Sequence, residues 1–174
     1  MSASRAIAAV LVIILFAAFA TIASNDNALA GDEVNPDHID AAGCIIETPH
    51  GYVMGINRLI NRLQLPIGSH MDGESSRDTA ARETLEETGL KVIVEDVAIK
   101  LDESRVIFYI CVPIASDPDY ANLKPIDRVE VSRAMVVNPF TLTTPDGESI
   151  ETKWRFPAMR WLLKLWFGSK HPQS

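Results

Sequence analysis

Apolar positions along the chain change their spacing several times, and each change marks a new element. From Ala6 to Ala23 the run is apolar on every side, whereas a soluble surface helix keeps one polar face. From His38 the pattern shortens into β-type runs. Ile39 to Glu47, a Thr48-Pro49-His50-Gly51 turn and Tyr52 to Ile56 predict a hairpin. Asn57 to Arg62 leads to a short Leu63-Gln64-Leu65 strand, then Pro66 and a loop carrying Gly68 and Gly73. A helix is expected to begin at Ser75, which caps it with Asp78 three positions on, and to run through Ala80, Ala81, Leu85 and Glu87 until Gly89 stops it. Lys91 to Lys100 and Ser104 to Ile114 read as strands joined by a turn at Leu101 to Glu103. Arg128 to Val137 reads as another strand, and Pro157 to Phe167 as a helix. Two helices among several strands predict an α/β domain with a mixed β-sheet packed between helices. The 174 residues give room for one well-buried domain, taken as 31–174, and not for two.

The first thirty residues form a separate unit, 1–30. An apolar run of eighteen residues stands at the lower limit for crossing a bilayer. The Ala28-Leu29-Ala30 site before Gly31 fits cleavage by a signal peptidase, so the segment is read as either a signal peptide or a membrane anchor. Arg5 precedes the run, while Asp26, Asp32, Glu33 and Asp37 follow it with no Lys or Arg until Arg58. That bias places the body outside the cytoplasm, exported or membrane-anchored.

Charge and cysteine usage narrow the picture. A net charge of -7 argues against a broad footprint for duplex nucleic acid, so a small anionic ligand requires local cations or a metal. Cys44 and Cys111 lack the short spacing of a zinc knuckle or a redox pair and read as two buried strand thiols in preference to a disulfide.

The segment Gly68 to Leu90 carries the chemistry. Glu83, Glu86 and Glu87 stand at i, i+3 and i+4, which puts three carboxylates on one helical face where like charges raise one another's pKa. Arg82 is the one basic residue on that acidic turn, and a single guanidinium does not neutralise three glutamates. The cluster therefore calls for a cation. Hard carboxylate oxygens suit Mg²⁺ or Mn²⁺, which can link a protein to substrate phosphates and ready a water for attack.

The spacing Gly68, five residues, Glu74, seven residues, Arg82-Glu83, Leu85, Glu86-Glu87, Gly89 and Leu90 resembles the signature of the Nudix hydrolase family, with Thr84 at a position where the signature has an aliphatic residue. Ala41-Ala42-Gly43, the Tyr52 to Ile56 strand and Pro66 are similar to the family's flanks. The resemblance implies a Nudix-type α/β/α sandwich and hydrolysis of a phosphoanhydride bond in a nucleoside diphosphate derivative. It further implies that Glu83, Glu86 and Glu87, with the carbonyl of Ile67, hold the metal, and that Gly68 lies in the diphosphate loop. Arg82 is implied as the cation that orients the glutamates, with Glu74 its partner.

Outside the signature, Glu130 is the first candidate for the further acidic residue that the family recruits, followed by Asp127 and then Asp102 or Glu103. Arg58 and Arg62 are placed to engage a diphosphate. Tyr52, Phe108, Tyr109 and Tyr120 offer stacking faces for a base, against the plainer reading of core aromatics. Trp154 to Phe167 reads as the helix covering one face of the sandwich, ahead of a membrane-interface helix. The partners expected are a small-molecule diphosphate, a membrane through the N-terminal segment, and a second copy of the chain in a homodimer. Two functions compete: a metal-dependent hydrolase, and a non-catalytic Nudix-fold module that holds a phosphorylated ligand. The intact glutamate set favours the hydrolase.

Overall fold

A computed structural model of the chain describes residues 39–101 and 105–171. The N-terminal hydrophobic helix expected within 1–30 and the acidic pair Asp102 and Glu103 lie outside the described residues. The elements run β1 (Ala41–Ile45), β2 (Glu47–Thr48), β3 (Gly51–Asn57), β4 (Arg62–Gln64), β5 (Ile67–Ser69), α1 (Ser76–Thr88), β6 (Val92–Leu101), β7 (Val106–Pro113), a 3-10 turn at Tyr120–Asn122, β8 (Val131–Val137) and α2 (Pro157–Lys170).

The strands divide between two sheets where one mixed sheet was expected. The first, in the order β5-β1-β7-β6, is mixed: β1 is antiparallel to β5 and parallel to β7, which is antiparallel to β6. In the second, β3 pairs antiparallel with β2, β4 and β8. The run read as one strand from Ile39 to Glu47 breaks at Ile46 because the chain passes there from the first sheet to the second. Ile67–Ser69, read as loop, is a strand; three residues including a glycine are too few to show a period of two.

Alternation along the strands separates two cores. Tyr52, Met54, Val106, Phe108, Met135 and Val137 point to one, where Met159, Leu163 and Phe167 of α2 close it. Val53, Ile107, Tyr109 and Val136, their neighbours in sequence, point to the other, beneath Ala80 of α1. The result is a sandwich with α1 over one face and α2 over the other. Helix α2 thus covers the core as expected, leaving Trp161, Leu162 and Leu165 exposed on its outer side. No helix among the described residues is long and apolar enough to cross a membrane. Three of the four candidate stacking aromatics are core: Tyr52, Phe108 and Tyr109 are buried, and Tyr52 donates its hydroxyl to the Leu163 carbonyl at 3.3 Å.

Cys44 and Cys111 form a disulfide, which corrects the expectation of two separate thiols. Their 67-residue separation hid the contact, but β1 and β7 are parallel neighbours with Cys44 opposite Tyr109. That register brings the two Cα atoms to 5.5 Å, within the range a disulfide spans. Denatured, unreduced protein should show no titratable thiol, and Cys44→Ser with Cys111→Ser should cost roughly 2–4 kcal/mol in denaturant unfolding. Two titratable thiols, or an unchanged midpoint, would contradict the assignment.

Candidate metal centre on the inner face of α1

Helix α1 begins with a complete capping box. Ser75 Oγ accepts from the Asp78 amide at 3.1 Å, and Asp78 Oδ2 accepts from the Ser75 amide at 3.3 Å. It ends at Gly89, which adopts the left-handed conformation with φ 79° and abuts the Lys124 carbonyl closely enough to leave no space for a side chain. The amides of Lys124, Ile126 and Asp127 then donate to the Thr88 and Glu86 carbonyls, which the helix end leaves open. This docks the chain leading to Glu130 onto the helix. The inward face is polar: Ser76, Thr79, Ala80, Glu83, Thr84, Glu87 and Thr88 are buried.

Arg82 organises the carboxylates. Its Nε and Nη2 donate to the two oxygens of Glu74 at 2.7 and 3.0 Å, as the sequence led us to expect. Its Nη1 reaches Glu83 at 2.6 Å and Glu86 at 3.2 Å, and Nη2 also reaches the Ser69 carbonyl at 2.9 Å. The Arg82 hydrogen bonds hold the Glu74 carboxyl down to about 2.

Carboxylate oxygens of Glu83, Glu87 and Glu130 lie within 4.8 Å of one another. Glu83 and Glu87 are buried, and Glu130 is exposed on the turn before β8. Burial, with Glu83 and Glu130 nearby, pushes Glu87 up to about 8. Burial also raises Glu83, against the opposing pull of Arg82. Glu87 takes two donors: Gln64 Nε2 at 3.0 Å on Oε1, and the Ile67 amide at 3.0 Å on Oε2. Glu86 stands aside from this trio, with its side chain 38% exposed and paired to Arg82. Gly68 packs directly on Glu83, where any Cβ would fall 1.9 Å from the carboxyl carbon.

These residues suit a hard divalent cation. Oxygens bound to Mg²⁺ at about 2.1 Å are at most about 4.2 Å apart, so the trio needs only a small closure to share one ion. A dication also offsets the repulsion between two buried carboxylates, for which Arg82 is already divided among three glutamates and a carbonyl.

The remaining candidates fall around this cluster. Arg58 donates from its amide to the Glu130 carbonyl at 2.7 Å and from Nη1 to the Arg128 carbonyl at 2.9 Å, so it braces the turn that carries Glu130. Arg62 is exposed at the start of β4, with no side-chain hydrogen bond among the described residues. Asp127 caps that turn by accepting from the Val129 amide at 2.7 Å. Ile67 enters through its amide, while the ligand expected of it was its carbonyl; its side chain lies in the core. Sequence reasoning missed Gln64 and Arg155, whose Nη1 donates to Gln64 Oε1 at 2.9 Å. Their positions, 91 residues apart, carry no local pattern.

No family model matches the chain, and no curated protein matches it. Solved structures do. An ADP-ribose pyrophosphatase from Streptococcus suis is 17% identical with a TM-score of 0.53, over 77% of this chain and 92% of that one. A Nudix hydrolase from Nitrosomonas europaea is 18% identical with a TM-score of 0.53, over 76% and 90%. An Ap4A hydrolase from C. elegans is 15% identical with a TM-score of 0.52, over 75% and 97%. The chain has the Nudix fold.

Two outcomes are expected. Gly68→Ala should displace the Glu83 carboxylate and weaken Mn²⁺ binding at least about 10-fold while the chain stays folded; unchanged affinity would show that the close approach is dispensable. Glu87, raised to about 8 from an ordinary 4.5, destabilises the metal-free fold as pH rises between those values, because the folded state holds the proton longer than the unfolded state. The Mg²⁺-induced rise in melting temperature should therefore be larger at pH 8 than at pH 5, and scanning calorimetry at both values checks it.

Proposed function

We propose that this chain is a divalent-metal-dependent hydrolase of a phosphoanhydride bond in a nucleoside diphosphate derivative. The observation that carries the reading is the Glu83–Glu87–Glu130 cluster, two members of which are buried on a helix that the Nudix-like segment builds. The names of similar structures, an ADP-ribose pyrophosphatase, a UDP-X diphosphatase and an Ap4A hydrolase, support the bond type. The non-catalytic alternative has no observation of its own in its favour.

Glu83 and Glu87 would hold Mg²⁺ or Mn²⁺ from the helix, with Glu86 and the Ile67 carbonyl as further ligands in this reading. The bound ion supplies charge that polarises the phosphate and lowers the pKa of water. Glu130, the exposed member of the trio, would face the ion with one carboxylate oxygen and take the proton from the attacking water with the other, which meets solvent. Arg82 keeps Glu83 and Glu86 oriented. Arg62, exposed and without a side-chain hydrogen bond among the described residues, would offer its guanidinium to the diphosphate, and Arg58, which fixes the turn carrying Glu130, is proposed to meet the same ligand. The scissile P–O bond breaks as water adds to phosphorus, and the departing phosphate oxygen leaves with its electron pair.

The body of the protein is further proposed to work outside the cytoplasm. The Arg5-first leader supports this, and so does the Cys44–Cys111 disulfide, since such bonds persist in oxidising compartments.

With Mg²⁺ or Mn²⁺, a panel of nucleoside diphosphate derivatives should contain a substrate whose hydrolysis stops in excess chelator. Glu87→Gln and Glu130→Gln should each lower turnover by roughly 100-fold or more with the fold intact. Activity surviving both substitutions, or surviving chelation, would sink the assignment. Arg62→Lys should raise KM for every accepted substrate, because the contact is to the shared diphosphate. Loss confined to one substrate in steady-state kinetics would place Arg62 on the variable group instead.

A further inference from the structure

Residues 153–155 lie alongside β4. The Leu63 amide donates to the Lys153 carbonyl at 2.9 Å and the Arg155 amide to the Leu63 carbonyl at 2.8 Å, with Leu63 and Trp154 in a parallel bridge. This backbone pairing sets Arg155 beside Gln64. The guanidinium, 5.3 Å from the Phe156 ring centroid, donates to Gln64 Oε1 at 2.9 Å. Gln64 is 2% exposed, and its Nε2 donates to Glu87 Oε1 at 3.0 Å. An arginine has donors and no acceptor, so only the oxygen end of the Gln64 amide can face it. The NH₂ end must then face Glu87. The order is fixed from the half-buried guanidinium inward to the buried carboxylate.

Resting on the metal-centre reading above, we propose that Gln64 and Arg155 are positioning residues for the cation site, with Arg155 acting through the Gln64 amide to aim the Glu87 carboxylate at Glu83 and Glu130. With Gln64 on one oxygen and the Ile67 amide on the other, each Glu87 oxygen is tethered once and keeps a lone pair for the ion. Released from Arg155, the amide is free to turn its oxygen towards Glu87, where it no longer donates to the carboxylate and so no longer holds its direction.

The test compares Mn²⁺ affinity of the full chain and of Arg155→Met, Gln64→Met and the double variant, read from the spectrum of free Mn²⁺ by electron paramagnetic resonance, with circular dichroism confirming the fold. Each single variant should weaken binding about 10–100-fold, and the double variant should fall well short of the product of the two losses, because the main effect of Arg155 passes through Gln64 and only its charge reaches Glu87 directly. Single variants that bind within twofold of the parent, or a double variant that shows the product of the two losses, overturn the proposal. Lower stability with unchanged affinity overturns it as well. If Gln64→Met does not fold, Arg155→Met alone decides. A parent protein that binds Mn²⁺ and hydrolyses nothing refutes the proposed activity and leaves the relay standing; a parent that binds no Mn²⁺ refutes both.

Discussion

Two glutamates buried on the inward face of one helix set the terms for everything around them. An amphipathic helix normally docks through an apolar stripe, and desolvating a carboxylate opposes docking. Helix α1 docks with Glu83 and Glu87 inside and Ala80 as the one fully buried apolar residue on that face, with Ala81 partly buried beside it. Its position is therefore held by directional contacts. The capping box fixes one end and the backbone of the 124–127 chain fixes the other. Ser76 and the Tyr109 hydroxyl meet at 2.6 Å, Thr79 donates to Glu74 at 2.9 Å, and Arg82 draws Glu74, Glu83, Glu86 and the Ser69 carbonyl to one point. Thr84 shows the cost of this polar interior, since its buried hydroxyl has no hydrogen-bond partner among the described residues.

What could be read from the sequence is what local spacing encodes. Ser75, Asp78 and Gly89 gave the helix its limits because caps act within a few residues, and the Glu74–Arg82 pair followed from one helix and the loop before it. The three-carboxylate face was legible for the same reason, although Glu130 replaced Glu86 in the tight trio once the turn before β8 folded over it. Distant pairings were not legible. The disulfide depends on parallel register between β1 and β7, and the Arg155–Gln64–Glu87 relay on a backbone pairing between β4 and residues 153–155. No periodicity of either partner encodes such matches. The division into two sheets was hidden likewise, since it turns on one residue, Ile46, leaving one ladder for another.

Sequence identities of 15–18% accompany alignment over most of each similar chain, which separates what this architecture demands from what it tolerates. Core positions require an apolar side chain of fitting volume on alternate residues, and many combinations supply that. Gly68 has no such latitude, because the Glu83 carboxylate occupies the space a side chain would need. Nor does Gly89, with its positive φ and the Lys124 carbonyl against it.

Glu130 differs from its two companions in being carried by a surface turn, braced by Arg58 and outside the helix. Glu83 and Glu87 are held by α1 and its backbone anchors, whereas Glu130 is held by the 128–130 turn and its hydrogen bonds to Arg58 and Asp127. The cluster has two posts set in the core and a third set on the rim. The acidic cluster is thus assembled from two separate supports, so a change to the rim turn alters its geometry without disturbing the buried face of the helix.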